Sequence, residues 1–325
     1  MKKLVYLFPG QGAQYSGMAM DLLESDSVKT LFETASDILG KDIKELLNSD
    51  ADTLKRTDIS QPAITTANLA AMFYLSDKGF TPSACAGFSL GEYAALVCAN
   101  IISAADCFRL VKIRGEAMQK TADKLRSAAG GDIVNNEVVN SEAITAPGMS
   151  AIVGLTPGTV EELIVQWKIK DLYAANINSQ KQVVVAGTAA ALTEAENRFK
   201  EAGAKRAIRL PVAGPFHSPL MTDALEDFVP VLETITFNDP SITIFSNVTG
   251  KKISSGAEAK KLAVQQITNP VRWVEEEASI AAENGIDVCL EVGPGKVLQG
   301  LWKDTDSQIP VFTAGTMEDI NNLQL

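Results

Sequence analysis

The chain has 325 residues, 46% of them hydrophobic and 21% charged, enough apolar material for one large or two modest cores in a globular protein. Its formal net charge of −11 argues against nucleic acid or a membrane surface as a partner. No apolar run reaches membrane-spanning length, and Leu4-Val5-Tyr6-Leu7-Phe8 is too short for a signal-peptide core, so a cytoplasmic location is expected.

That first run reads as a buried strand ended by Pro9-Gly10-Gln11-Gly12. A dinucleotide fingerprint would need a third glycine where Tyr15 stands, so the loop is better read as one whose backbone N–H groups approach a reacting centre. Helical patterning follows through Met18–Leu23 and Val28–Leu39. Ser60-Gln61-Pro62-Ala63 then opens a helix to about Leu75, with Pro62 in its first turn. Next comes Gly87-Phe88-Ser89-Leu90-Gly91, between small residues and an apolar run. Gly-x-Ser-x-Gly at a strand–helix junction is the nucleophile-elbow pattern. Its glycines permit close approach, and the helix N-terminus offers N–H groups beside Ser89, where an oxyanion would form.

Ser103 and Asp106 predict a capping box for a helix to about Leu125. Arg114 falls on that helix's apolar stripe, either snorkelling from its edge or held in a cleft for a carboxylate. Residues 126–146 are polar and aperiodic and read as a surface loop and domain junction. From Met149 the pattern is β-α-β-β-α-β to Val212, the order of a small ferredoxin-like unit inserted in a larger domain. A helix is expected to stop near Pro230, and strand–helix alternation resumes at Ile242–Val248. Gly293-Pro294-Gly295-Lys296 lacks P-loop spacing and reads as a turn into the last short helix.

The four cysteines, Cys85, Cys98, Cys107 and Cys289, sit unpaired in apolar segments and read as reduced core residues. His217 is the one histidine, so no zinc site is expected, and it is the only imidazole available as base to an elbow serine. Ser89 with His217 is compatible with a serine acyl hydrolase or thioesterase of α/β-hydrolase or patatin-like type. Against that, 108 residues follow His217, and a patatin-like pair would leave it idle.

Taken together, the elbow, Phe8-Pro9-Gly10-Gln11-Gly12, Ser60-Gln61-Pro62-Ala63, Arg114-Gly115 with Met118, Phe216-His217-Ser218, Asn269-Pro270-Val271-Arg272-Trp273 and Glu291-Val292-Gly293-Pro294-Gly295 resemble the malonyl-CoA:acyl carrier protein transacylases over nearly the whole chain. The resemblance implies an α/β class: an α/β-hydrolase-like core with a mostly parallel sheet (residues 1–146 and 214–325) and a ferredoxin-like inserted subdomain (147–213). It implies ping-pong transfer of malonyl from malonyl-CoA to Ser89, then to the phosphopantetheine thiol of an acidic acyl carrier protein, with no cofactor. Ser89 would be nucleophile, His217 base, and Gln266 the residue whose carbonyl orients His217. The N–H groups of Gln11 and Leu90 would form the oxyanion hole. Arg114 would bind the malonyl carboxylate, Gln61 would line the site, and Phe216 would narrow the space beside the substrate α-carbon. Phe88 stands where the family usually has histidine, and 125–146 is longer than the family's segment. An open, solvated Arg114 and a histidine ionisation near pH 6 to 7 are expected.

Overall fold

The computed structural model describes residues 2–129 and 146–325, and between them the strands β3 (Ile133–Val134) and β4 (Glu137–Val138), paired antiparallel. Of the loop expected over 126–146, residues 126–128 instead prolong the helix Ala104–Ala128, and residues 130–132, 135–136 and 139–145 lie outside the described residues. The larger body carries strands β1 (Leu4–Phe8), β2 (Pro82–Gly87), β9 (Thr243–Ile244), β10 (Val288–Glu291) and β11 (Val311–Thr313). They form a parallel sheet in the order β11-β10-β1-β2-β9. Every residue of β1 is buried, as a central parallel strand covered on both faces requires. Its alternation sends Tyr6 and Phe8 into the main core and Val5 and Leu7 into a second core with Phe245 and Trp273.

The helices of this body are α1 (Asp26–Leu39), α2 (Ile43–Leu47), α3 (Thr57–Asp77), α4 (Gly91–Cys98), α5 (Ala104–Ala128), then α8 (Ala224–Glu233), α9 (Gly256–Gln265), α10 (Trp273–Ala281), α11 (Val297–Trp302) and α12 (Met317–Asn321). The second body lies between α5 and α8. It holds β5 (Gly148–Val153), α6 (Pro157–Trp167), β6 (Leu172–Ser179), β7 (Gln182–Gly187), α7 (Ala189–Glu201) and β8 (Arg206–Arg209). Its four strands form a separate antiparallel sheet in the order β6-β7-β5-β8, with its own core around Ile152, Val160, Val185 and Phe199. The two bodies are stitched through β6: Ile177 N–H donates to Val271 O at 2.8 Å, and Val271 N–H to Ala175 O at 2.9 Å.

Several expectations are corrected. α3 starts at Thr57, so Pro62 is interior to it; the N-terminus is capped from α5, where Gln119 Oε1 accepts Thr57 N–H at 3.2 Å. α8 runs through Pro230, whose ring frees the Glu226 carbonyl on an exposed face where water can satisfy it. The strand expected over Ile242–Val248 shrinks to Thr243–Ile244, and α11 is followed by β11 and α12 rather than ending the chain. Met18–Leu23 becomes a 3-10 turn, Met20–Glu24. Ser103 Oγ accepts Asp106 N–H at 3.0 Å, but Asp106 answers the hydroxyl rather than a backbone N–H.

Candidate active site

β1 and β2 lie side by side and parallel, so the Pro9–Gly12 loop and Ser89 emerge together at the carboxyl end of the sheet, where such folds form their crevices. The elbow depends on its glycines. A Cβ on Gly87 would stand 2.1 Å from the Gly91 carbonyl, and one on Gly91 would stand 2.0 Å from Phe8 O. Ser89 sits at the tip with φ +51°, in the left-handed region, directly before the N-terminus of α4. Phe88 projects away, its ring edge-on to Trp273 at 5.4 Å and packed against the second core.

His217 also has a positive φ, +57°, and is 3% exposed between Pro215 and Pro219. Its Nε2 lies 2.6 Å from Ser89 Oγ, and its Nδ1 lies 2.9 Å from the main-chain carbonyl of Gln266. A carbonyl can only accept, so Nδ1 carries the proton and Nε2 is the free acceptor facing the serine hydroxyl. Burial, and then the neighbouring Arg114 cation, lower the His217 pKa to about 4. The imidazole is neutral at physiological pH, with its Nε2 lone pair free to accept a proton.

Arg114 is fully buried, which corrects the expectation of a solvated side chain. Its Nη1 donates to Gln61 Oε1 at 2.8 Å and its Nη2 to Gln266 Oε1 at 3.0 Å; its guanidinium carbon lies 5.3 Å from the centre of the Tyr93 ring. Its Nε has no partner, and no acid lies within ion-pair distance among the described residues. Two neutral carboxamides orient the cation without neutralising it, and burial lowers its pKa. The site therefore holds a fixed positive charge lacking a direct counter-ion.

Gln266 ties these groups together: besides holding His217 and Arg114, its Nε2 donates to Ser89 O at 2.9 Å and to Glu92 Oε2 at 3.0 Å. Gln61 is buried on α3 beside Thr57 and Met118. Gln11 is half-buried, its side chain fixed by Ser60 at 2.8 Å and Thr57 at 2.9 Å. Leu90 is buried at the N-cap of α4, and among the described residues neither its N–H nor that of Gln11 donates to a backbone or side-chain acceptor. Phe216, 6% exposed, belongs to the main core beside Gly214. Two participants escaped the sequence reading. Glu92, buried two residues into α4, was visible as a lone acid in an apolar run; Asn247, at Ser89 N–H, carried no sequence signal. The cysteines are free thiols, and among the described residues no cluster of His, Cys, Asp or Glu could hold a metal ion.

A serine, a neutral histidine and a buried guanidinium thus lie in one hydrogen-bonded chain. Residues 5–322 match the acyl transferase domain family, to which this protein belongs. It is 36% identical to the malonyl CoA-acyl carrier protein transacylase of Haemophilus influenzae, covering 100% of this chain and 99% of the relative. It is 35% identical to that of Bacillus subtilis, covering 98% and 96%. Among solved structures, the acyl-carrier-protein S-malonyltransferase of Burkholderia pseudomallei superposes with a TM-score of 0.87 at 35% identity, covering 98% of each chain. A type II PKS acyl-carrier protein in complex with its malonyl-transacylase gives a TM-score of 0.86 at 33% identity, again covering 98% of each.

Proposed function

We propose that the protein is an [acyl-carrier-protein] S-malonyltransferase, moving malonyl from malonyl-CoA to the phosphopantetheine thiol of acyl carrier protein for fatty-acid or polyketide synthesis. The observation that carries this is the 2.6 Å contact between Ser89 Oγ and His217 Nε2, beside an arginine that lacks a carboxylate partner. In the first half-reaction Ser89 Oγ attacks the thioester carbonyl while His217 Nε2 takes its proton. The oxyanion forms between the N–H groups of Gln11 and Leu90, supported by the dipole end of α4. Collapse of the intermediate breaks the carbon–sulfur bond, and the coenzyme A sulfur leaves with the proton from His217. In the second half-reaction the carrier thiol gives its proton to His217 and attacks the Ser89 ester; the serine recovers the proton as it departs.

Arg114 supplies the carboxylate site, aligned by Gln61 and Gln266, and Phe216 beside His217 narrows the space at the substrate α-carbon. Such a steric filter is worth roughly 1–3 kcal/mol against a methyl branch. The larger body, residues 1–146 and 214–325, is an α/β-hydrolase-like catalytic domain, and 147–213 a ferredoxin-like insertion. The β-α-β-β-α-β order with strands arranged β6-β7-β5-β8 supports the second description. The cytoplasm is its place of action. Supporting this, no helix among the described residues is long and apolar enough to cross a membrane, and the cysteines are free.

Intact mass after incubation with malonyl-CoA tests the reading: one malonyl adduct should form, vanish in Ser89→Ala, and discharge faster to added carrier protein than to water. Discharge to water at the same rate would make the protein a hydrolase.

A further inference from the structure

β9 accompanies β2 for two residue pairs, ending at Cys85 and Ile244, with one further bond from Phe245 N–H to Cys85 O at 3.2 Å. Beyond that point the elbow has no strand to hold it on this side, and the side chain of Asn247 takes over. Its Nδ2 donates to Gly87 O at 2.7 Å, and its Oδ1 accepts Ser89 N–H at 2.6 Å. One carboxamide thus spans the turn, gripping the two peptide groups that flank Phe88. Ser89 is a non-glycine residue at φ +51°, a conformation that persists only where its surroundings over-determine it.

Asn247 is itself rigidly held and fully buried. Its backbone N–H donates to Glu92 Oε2 at 2.9 Å, and its Nδ2 also donates to Glu276 Oε1 at 2.6 Å. The same Glu92 oxygen accepts Gln266 Nε2 at 3.0 Å, and the main-chain carbonyl of Gln266 holds His217 Nδ1 at 2.9 Å. The backbone of Ser89 and the ring of His217 therefore hang from one buried frame with Glu92 at its centre.

We infer that Asn247 is a positioning residue for the nucleophile, setting Ser89 Oγ at the distance and angle His217 needs. The inference rests on Ser89 being the acyl acceptor. Asn247 touches neither substrate nor reacting atom; it acts through the peptide groups on either side of the turn. Its removal should therefore slow every reaction of Ser89, whatever the acylating agent. The Arg114 site loses only a 3.3 Å bond from Gln266 Nε2 to Asn247 Oδ1, since Gln266 Nε2 keeps Ser89 O and Glu92 and Arg114 keeps both carboxamide partners.

The test uses the full chain carrying Asn247→Ala, with Asn247→Ser as a second variant that admits a water to the vacated space. Each is checked for folding by thermal melting. Two rates are then compared with the unsubstituted protein: malonyl-CoA acylation, resolved into kcat and KM, and labelling of Ser89 by a fluorophosphonate, which lacks the malonyl carboxylate. A folded variant should lose ~30–100-fold in kcat, the scale of an ångström-level misplacement, and the same factor in labelling. KM should stay within about threefold. Labelling and kcat both within about threefold would overturn the inference. So would a fall in kcat with normal labelling, or loss of the fold in both variants, which would make Asn247 a purely structural clamp. A Ser89→Ala control that still accumulates malonyl would instead sink the nucleophile assignment.

Discussion

His217 is held neutral by burial and by the Arg114 cation, and as the proposed base it should set the pH dependence of acylation. With its pKa lowered to about 4, kcat/KM for acylation should rise through about pH 4 and reach a plateau by roughly pH 5.5, well below the 6 to 7 expected of an ordinary histidine. With Arg114 as the proposed carboxylate site, bound malonyl would offset its charge, so the kcat profile should turn at a higher pH than kcat/KM. Stopped-flow acylation from pH 3.5 to 8 reads both; a single turn near pH 6.5 in both profiles would contradict this environment. Stability follows the same ring. Between about pH 6.5 and pH 4 the unfolded chain binds a proton that the folded protein refuses, so its contribution is complete above the upper limit and is lost as pH falls. Arg114 makes a second test. Because it also anchors Gln61 and Gln266, Arg114→Ala should lower the melting temperature, so the telling quantity is a ratio measured below both midpoints. Loss of the bidentate pair should take on the order of 2–5 kcal/mol from malonyl acylation and little from acetyl-CoA, tipping the preference toward acetyl. Equal loss for both acyl groups would remove Arg114 from the carboxylate site.

At the scale of elements, the elbow works because β1, β2 and α4 meet with no room for a methyl group. Gly91→Ala would drive a Cβ to 2.0 Å from Phe8 O, in the backbone of the central strand, so α4 must lift away. The expected loss is about 1–3 kcal/mol or more, with Ser89 displaced from His217; urea unfolding and acylation should fall together. An active variant of normal stability would mean the turn is more pliant than its contacts imply. This turn was legible in the sequence because its causes are local: two glycines four apart, small residues before them, an apolar run after. The start of α3 was not, since its cap is Gln119 on α5, 62 positions away. Pro230 misled for a related reason, because an exposed helix face lets water do the work of the missing N–H. The inward-facing position of Arg114 was legible from the apolar stripe of α5, but its full burial was not, because the two carboxamides that enclose it come from α3 and the end of α9. Asn247 was invisible because every contact that gives it meaning is long-range.

For the whole molecule, the net charge of −11 sets a problem that local charge must solve. An acidic carrier protein, as the family resemblance implies, meets a repulsive field and needs a basic strip near the cleft. β8 supplies one at the free edge of the small sheet, and the chain runs from it to His217. Lys205 and Arg206 are exposed there and, like exposed Lys200, form no ion pair among the described residues. Arg209 is different: Glu196 holds it at 2.8 Å, so it is not free to bind a partner. Ile208 and Val212, 44% and 37% exposed, add apolar contact beside the charges, the mixture a transient interface uses. Reversing Lys205 and Arg206 to Glu should therefore raise KM for carrier protein by ~10-fold at low salt, with the difference shrinking as ionic strength screens it. Acylation by malonyl-CoA should be unchanged, since neither side chain belongs to the buried site. Steady-state transfer at two salt concentrations measures both halves of this expectation. A KM that stays put would move the carrier's docking surface away from this edge of the small sheet.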